Sequence, residues 1–109
     1  MGEQGLLLYM EGTVCDDGFD DNAANAICKE MGYENSQSWV SGLLYDDMQN
    51  SLDTNLDDVY CPEEVWSSCS YLTSEEDCGH DEDVFITCIG KISLFPNFPY
   101  RTLFICWRP

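Results

Sequence analysis

The chain has 109 residues, enough for one domain with a modest core, and seven of them are cysteines. Its formal net charge is −17, with 21 acidic side chains against four basic ones, which argues against nucleic acid or anionic lipid as direct partners. The longest early apolar run, Leu6-Leu7-Leu8-Tyr9-Met10, is far too short for insertion into a membrane.

In chain order, residues 6–10 and 13–15 predict two short strands around a turn at Glu11-Gly12. Asp20 or Asp21 predicts the cap of a helix running to about Met31, because Ala23, Ala24, Ile27, Cys28 and Met31 recur on one helical face. Gly32 stands where such a helix ends. Residues 34–54 are polar and irregular and read as a long loop anchored by Trp39-Val40 and Leu43-Leu44-Tyr45. Residues 56–60 predict a strand. Pro62-Glu63-Glu64 resembles a first helical turn, with Val65 and Trp66 packing inward behind it. Residues 70–77 read as a loop, and Val84-Phe85-Ile86-Thr87-Cys88 as a buried strand. Beyond Gly90 the character changes: Lys91, Arg101 and Arg108 accompany apolar runs broken by Pro96 and Pro99, and no acid is left. The expected division is a domain over 1–89 and an atypical basic, apolar tail over 90–109.

This density of cysteine predicts disulfide staples and an oxidising compartment. A reduced zinc protein fits less well, since the cysteines do not fall in Cys-x-x-Cys pairs. Met1-Gly2-Glu3 does not open a secretory leader, so the chain reads either as a processed secreted protein or as an extracellular piece of a larger one, the second being preferred. Acidic runs adjoin the cysteines at Cys15-Asp16-Asp17 and at Cys78-Gly79-His80-Asp81-Glu82-Asp83. Carboxylates gathered by covalent joins can hold a hard divalent cation. An EF-hand is excluded, because no glutamate closes a loop of the required length from Asp16 or Asp17. His80 reads as a loop histidine bonded to nearby backbone rather than a ligand or base. Trp39, Trp66 and Trp107 read as core or loop anchors. No Gly-rich phosphate loop, serine triad order or zinc-protease helix motif is present, so no catalytic residue is assigned.

Three segments carry a family resemblance: Gly12-Thr13-Val14-Cys15-Asp16-Asp17-Gly18-Phe19-Asp20 with Asn22-Ala23-Ala24 and Cys28-Lys29-Glu30-Met31-Gly32-Tyr33; Leu56-Asp57-Asp58-Val59-Tyr60-Cys61; and Cys78-Gly79-His80-Asp81-Glu82-Asp83. Over about residues 5–88 the chain resembles the scavenger receptor cysteine-rich domain in its six-cysteine form. The resemblance implies an α+β, disulfide-rich fold: a curved antiparallel sheet cradling one main helix. It also implies the pairing Cys15–Cys78, Cys28–Cys88 and Cys61–Cys69, which spacing alone does not select among the many possible pairings. Cys106 is left over, either free or linking two chains into a dimer. The family's usual N-terminal strand is shortened here to Gly5-Leu6-Leu7-Leu8-Tyr9-Met10. For the tail, a replacement edge strand over residues 92–95, a linker and a splice-derived segment all stay open.

The resemblance further implies a cation site at Asp16, Asp17 and Glu82, and a second at Asp17, Asp20, Asp57 and Asp77, where relatives often carry Asn at the last position. Calcium is the expected ion, with magnesium as the second candidate. The bland alternatives are that Asp20 caps the helix, Asp57 serves loop amides, and the rest is solvated surface charge. The function implied is a non-enzymatic extracellular recognition module for protein or polyanionic microbial ligands, working through bound calcium or against a cationic partner patch. The rival expectation is a structural or accessory domain of a multidomain extracellular protein, secreted protease or oxidase.

Overall fold

The computed structural model describes residues 4–73, 78–90 and 103–108. Strand β1 (Gly5–Tyr9) turns into β2 (Gly12–Val14) through Met10 and Glu11, both at positive φ (49° and 72°). Two successive left-handed residues match the twist of a two-residue hairpin. Neither residue is glycine, and the turn is held from outside. Asn55 Nδ2 donates to the carbonyls of Tyr9 and Met10 at 2.9 and 3.0 Å, and the Met10 amide donates to the Leu103 carbonyl at 3.0 Å.

Helix α1 (Asp21–Glu30) is capped by Asp20, whose Oδ1 accepts the Ala23 amide at 2.9 Å. Its buried face is Ala23, Ala24, Ala26, Ile27 and Cys28, mostly small side chains that bring the helix close to the sheet. The helix ends in a Schellman motif at Gly32 (φ 98°): Tyr33 N donates to Cys28 O and Gly32 N to Lys29 O, both at 3.0 Å.

The remaining elements are β3 (Asn35–Ser41), the short α2 (Asp46–Asn50), β4 (Thr54–Tyr60), β5 (Ser70–Leu72), β6 (Val84–Ile89) and β7 (Phe104–Trp107). They build a seven-stranded sheet in the order β3-β6-β1-β2-β4-β5, with β7 on β1. Every pairing is antiparallel except β2 with β4. Leu6 pairs with both Phe85 and Trp107, and Leu8 with both Thr13 and Ile105. β7 therefore runs along one edge of β1, while β6 and β2 share the other and splay apart. This branching curls the sheet around α1.

Side chains alternate across β1. Leu7 and Tyr9 join the core beneath α1 with Val14, Phe19, Ile27, Leu56, Ile86 and Phe104. Leu6 and Leu8 face a smaller cluster with Phe85, covered by Met48, Leu52 and Trp107. The bridges are Cys15–Cys78, Cys28–Cys88 and Cys61–Cys69.

The structure departs from the sequence expectations at three places. Residues 34–54 are not one loop, since they contain β3 and α2. β3 is exposed or half-buried along its whole length, so it lacks the apolar alternation that would announce a strand. It exists because it pairs with β6 from Asn35 opposite Ile89 to Ser41 opposite Val84. Residues 70–72 form β5 rather than loop. No helix starts at Pro62. A helical advance across the Cys61–Cys69 loop would part its ends by ~12 Å, whereas the bridge holds the two Cα atoms 4.1 Å apart. The segment makes only a 3-10 turn at Trp66–Ser68, and Val65 is 46% exposed instead of packed inward. For the tail, which the sequence left open, the structure gives β7 at Phe104–Trp107, while residues 92–95 lie outside the described residues.

Candidate cation site

Val14 ends β2, and Cys15 continues its line as a bridge partner of Asp83, with its amide donating to Leu56 O at 2.9 Å. The chain then reverses. Phe19 N donates to Asp16 O at 2.9 Å, and Gly18 takes the positive φ (73°) that this turn needs. A Cβ at Gly18 would come within 3.6 Å of Asp58 and Val59, so the first acidic loop lies directly on the end of β4.

The second acidic segment is a 3-10 turn, His80–Glu82, closed by Glu82 N donating to Gly79 O at 2.9 Å. Asp16 N donates to Glu82 O at 2.9 Å, and the Cys15–Cys78 bridge ties the same two loops covalently. Together these contacts bring Asp16, Asp17 and Glu82 together, with one ligand oxygen of each within 4.8 Å of the others and of Cys15 Sγ. Oxygens sharing one calcium at ~2.3–2.6 Å are at most ~5 Å apart, so the spacing fits a common ion. The hard carboxylate donors suit calcium, with magnesium second. The bridge sulfurs of Cys15 and Cys78 lie 3.7 and 3.9 Å from Glu82 Oε1. As disulfide sulfurs they carry no proton, so these are packing contacts and offer no neutralisation.

No cationic side chain pairs with Asp16, Asp17 or Glu82 among the described residues. The electrostatic consequence falls on Glu82. Burial first, then the charges of Asp17 and Asp16, a hydrogen bond with Asp16 and the charge of Asp81 raise its pKa above the usual carboxylate value. A bound divalent cation would relieve that repulsion.

The second expected constellation is gathered only in part. Asp17 and Asp57 come together, joined by Asp58, which was not among the expected ligands. Asp57 is 7% exposed, and its Oδ1 accepts the Asp58 amide at 2.8 Å. Asp58 sits at φ 53°, at an irregularity within β4 beside Gly18 that no local signal announces. Asp20 joins neither carboxylate group, since its side chain caps α1. Asp77 lies outside the described residues.

Among the described residues, the His80 side chain bonds to a carboxylate and not to the backbone that was expected. Its Nδ1 lies 2.8 Å from Oδ2 of the fully buried Asp83. Burial raises the Asp83 pKa, opposed by hydrogen bonds from Gln49 and His80. The tryptophans are anchors. Trp39 packs edge-on against Phe19 and donates to Asp21 Oδ1 at 3.0 Å, Trp66 stacks on Tyr71, and Trp107 packs edge-on against Tyr45. Cys106 is an unpaired thiol on β7, half-buried, with Sγ 3.7 Å from Ile86 O and its pKa raised by burial.

The family model for the scavenger receptor cysteine-rich domain matches residues 7–89. Among curated proteins, the chain is similar to lysyl oxidase homolog 2 of Bos taurus, with 39% identity over 92 residues, covering 82% of this chain and 11% of that protein. The corresponding human protein is 36% identical over the same length. The chain thus spans about a tenth of these relatives, 11% of their length. Among solved structures, the dimeric form of the SRCR domain of mouse MARCO superposes with a TM-score of 0.65 at 28% identity, covering 82% of this chain and 89% of that one. With the curled sheet, the single long helix and the three bridges already described, these likenesses show that the chain belongs to the scavenger receptor cysteine-rich domain family.

Proposed function

We propose that this domain is a non-catalytic recognition module of an extracellular multidomain protein, binding protein or polyanionic ligands through calcium held by Asp16, Asp17 and Glu82. The observation that carries the reading is the convergence of those three carboxylates within 4.8 Å, without a cationic partner among the described residues. A domain of charge −17 repels an anionic ligand unless a cation bridges the two. Asp17 also belongs to the group with Asp57 and Asp58, a second position for an ion next to the first. When bound, calcium would supply a fixed positive charge with open coordination positions. The chain's own part is to hold the carboxylates and, through the Cys15–Cys78 bridge, to keep their two loops from separating.

A second reading has its own support. The relatives are far longer proteins, of which the chain covers 11%, so the domain also fits a structural or accessory role beside an oxidase domain. Self-association belongs to this reading, given the dimeric form of the MARCO domain. A dimer bridged by Cys106 would require β7 to shift, because that thiol is half-buried against Ile86.

Calorimetric titration of calcium into the oxidised, metal-stripped protein tests the first reading, with the Asp17→Ala, Glu82→Ala double variant alongside. Saturable binding with Kd of about 10⁻⁴–10⁻³ M, lost in the variant, is expected. A folded wild type that binds no calcium would sink this reading and leave the structural one.

A further inference from the structure

Gln49 is a polar residue buried at 0% exposure, and it belongs to no motif of the sequence. It stands on α2, whose neighbours Met48 and Leu52 pack on Leu6, Leu8 and Phe85, so its base is fixed to the sheet. Both ends of its amide are fully engaged, the two hydrogens of Nε2 being spread over three acceptors. Oε1 accepts the amides of Leu44 and Tyr45 at 2.9 and 2.7 Å. Nε2 donates to Gly42 O at 3.0 Å, Asp83 Oδ2 at 2.9 Å and His80 O at 3.3 Å. Amide donors on one side and oxygen acceptors on the other permit only this orientation of the side chain.

Two of these acceptors, His80 and Asp83, bracket Glu82 along the chain. Gln49 therefore grips the 3-10 turn on both sides of a carboxylate of the candidate cation site. The same side chain organises residues 42–45, where Leu43 and Leu44 are exposed apolar groups. The Glu82 carbonyl is meanwhile held by Asp16 N at 2.9 Å, so the turn is clamped from the opposite loop as well.

We propose that Gln49 is the positioning residue of the cation site, and that through it cation binding at Glu82 and order in residues 42–45 are coupled. The inference rests on the calcium reading above. Coupling of this kind is reciprocal: an ion that stiffens the turn stiffens the loop, and a partner that orders the loop tightens the ion. The consequence is an exposed apolar loop whose rigidity reports whether the cation is bound.

The test combines two measurements with calcium as the probe. In the first, amide hydrogen exchange of the wild type is followed with and without calcium. Leu44 and Tyr45, whose amides donate to Gln49, are expected to exchange more slowly in calcium. The second titrates calcium into Gln49→Met, which keeps the side-chain length and removes the amide, and into Ile27→Val as a control for stability loss on α1. Gln49→Met is expected to weaken calcium up to about 10-fold, the low end of the cost of losing a partner bonded to a ligand itself, because Gln49 holds the backbone on either side of Glu82 rather than its carboxylate; Ile27→Val is expected to leave calcium affinity unchanged. If Gln49→Met does not fold, the exchange experiment decides alone. Calcium bound by the wild type with no change at Leu44 and Tyr45 would overturn the coupling and spare the function. No calcium bound by the wild type would overturn both.

Discussion

Replacing Phe104 by Ala tests whether β7 is part of the folded domain. Phe104 is 2% exposed and belongs to the core beneath α1. Its ring centroid lies 5.0 Å from that of Tyr9 and 4.9 Å from that of Trp66, the latter edge-on. Truncating such a residue removes its transfer free energy and leaves a cavity that rigid neighbours fill poorly, at a cost of about 3–5 kcal/mol. At ~4–8 °C per kcal/mol for a domain near this size, Tm falls by at least ~12 °C. The neighbouring Ile105 sits on the same strand but is 53% exposed, so Ile105→Ala should cost at most ~1 kcal/mol. The assay is urea unfolding of the oxidised proteins, followed by tryptophan fluorescence and far-UV circular dichroism, with m-values compared to confirm that the same surface unfolds. Equal midpoints for the two variants would refute the reasoning, because they would mean that β7 contributes nothing to the core it lines.

Two further outcomes follow from the site. Asp20→Ala should cost about 1 kcal/mol of stability through loss of the α1 cap while leaving calcium affinity at Asp16, Asp17 and Glu82 unchanged; a matching loss of calcium would return Asp20 to the ligand set. The metal-free protein should lose stability as pH rises. Glu82 and Asp83 have pKa values raised above their ordinary 4.5 and 3.8, so the folded state holds their protons more tightly than the unfolded chain does. Their contribution is fully present below those ordinary values and is lost as pH climbs through the raised ones. Urea midpoints measured from about pH 4 to pH 8 should show a shallower decline for Glu82→Gln than for the wild type, and parallel profiles would contradict the raised Glu82.

Parts of the domain were legible because their signal is local. α1 shows apolar recurrence on one face, a capping acid at Asp20 or Asp21 and a terminal Gly32; the structure carries all three and selects Asp20 as the cap. β6 is a continuous apolar run, buried from Val84 to Cys88. β3 and β5 were not legible. Both are exposed strands held by their partners' backbone, and backbone pairing leaves no imprint on side-chain choice. The same holds for Gln49, a polar residue in a polar stretch whose burial depends on a turn more than thirty positions away, |i−j| = 34 to Asp83.

By itself, the amino-acid sequence determined the oxidised, cysteine-stapled class, the main helix, the acidic segments beside Cys15 and Cys78, and the family through three ordered motifs. Only the tertiary structure decided which carboxylates meet. Asp16, Asp17 and Glu82 converge, Asp58 joins Asp17 and Asp57, and Asp20 caps its helix outside both groups. It also decided that a tail of alien composition contributes a strand to the central sheet. The physical reason is common to both. A carboxylate becomes a ligand, and an apolar tetrapeptide an edge strand, only through neighbours distant in sequence, and those neighbours are set by closure of the sheet and its bridges.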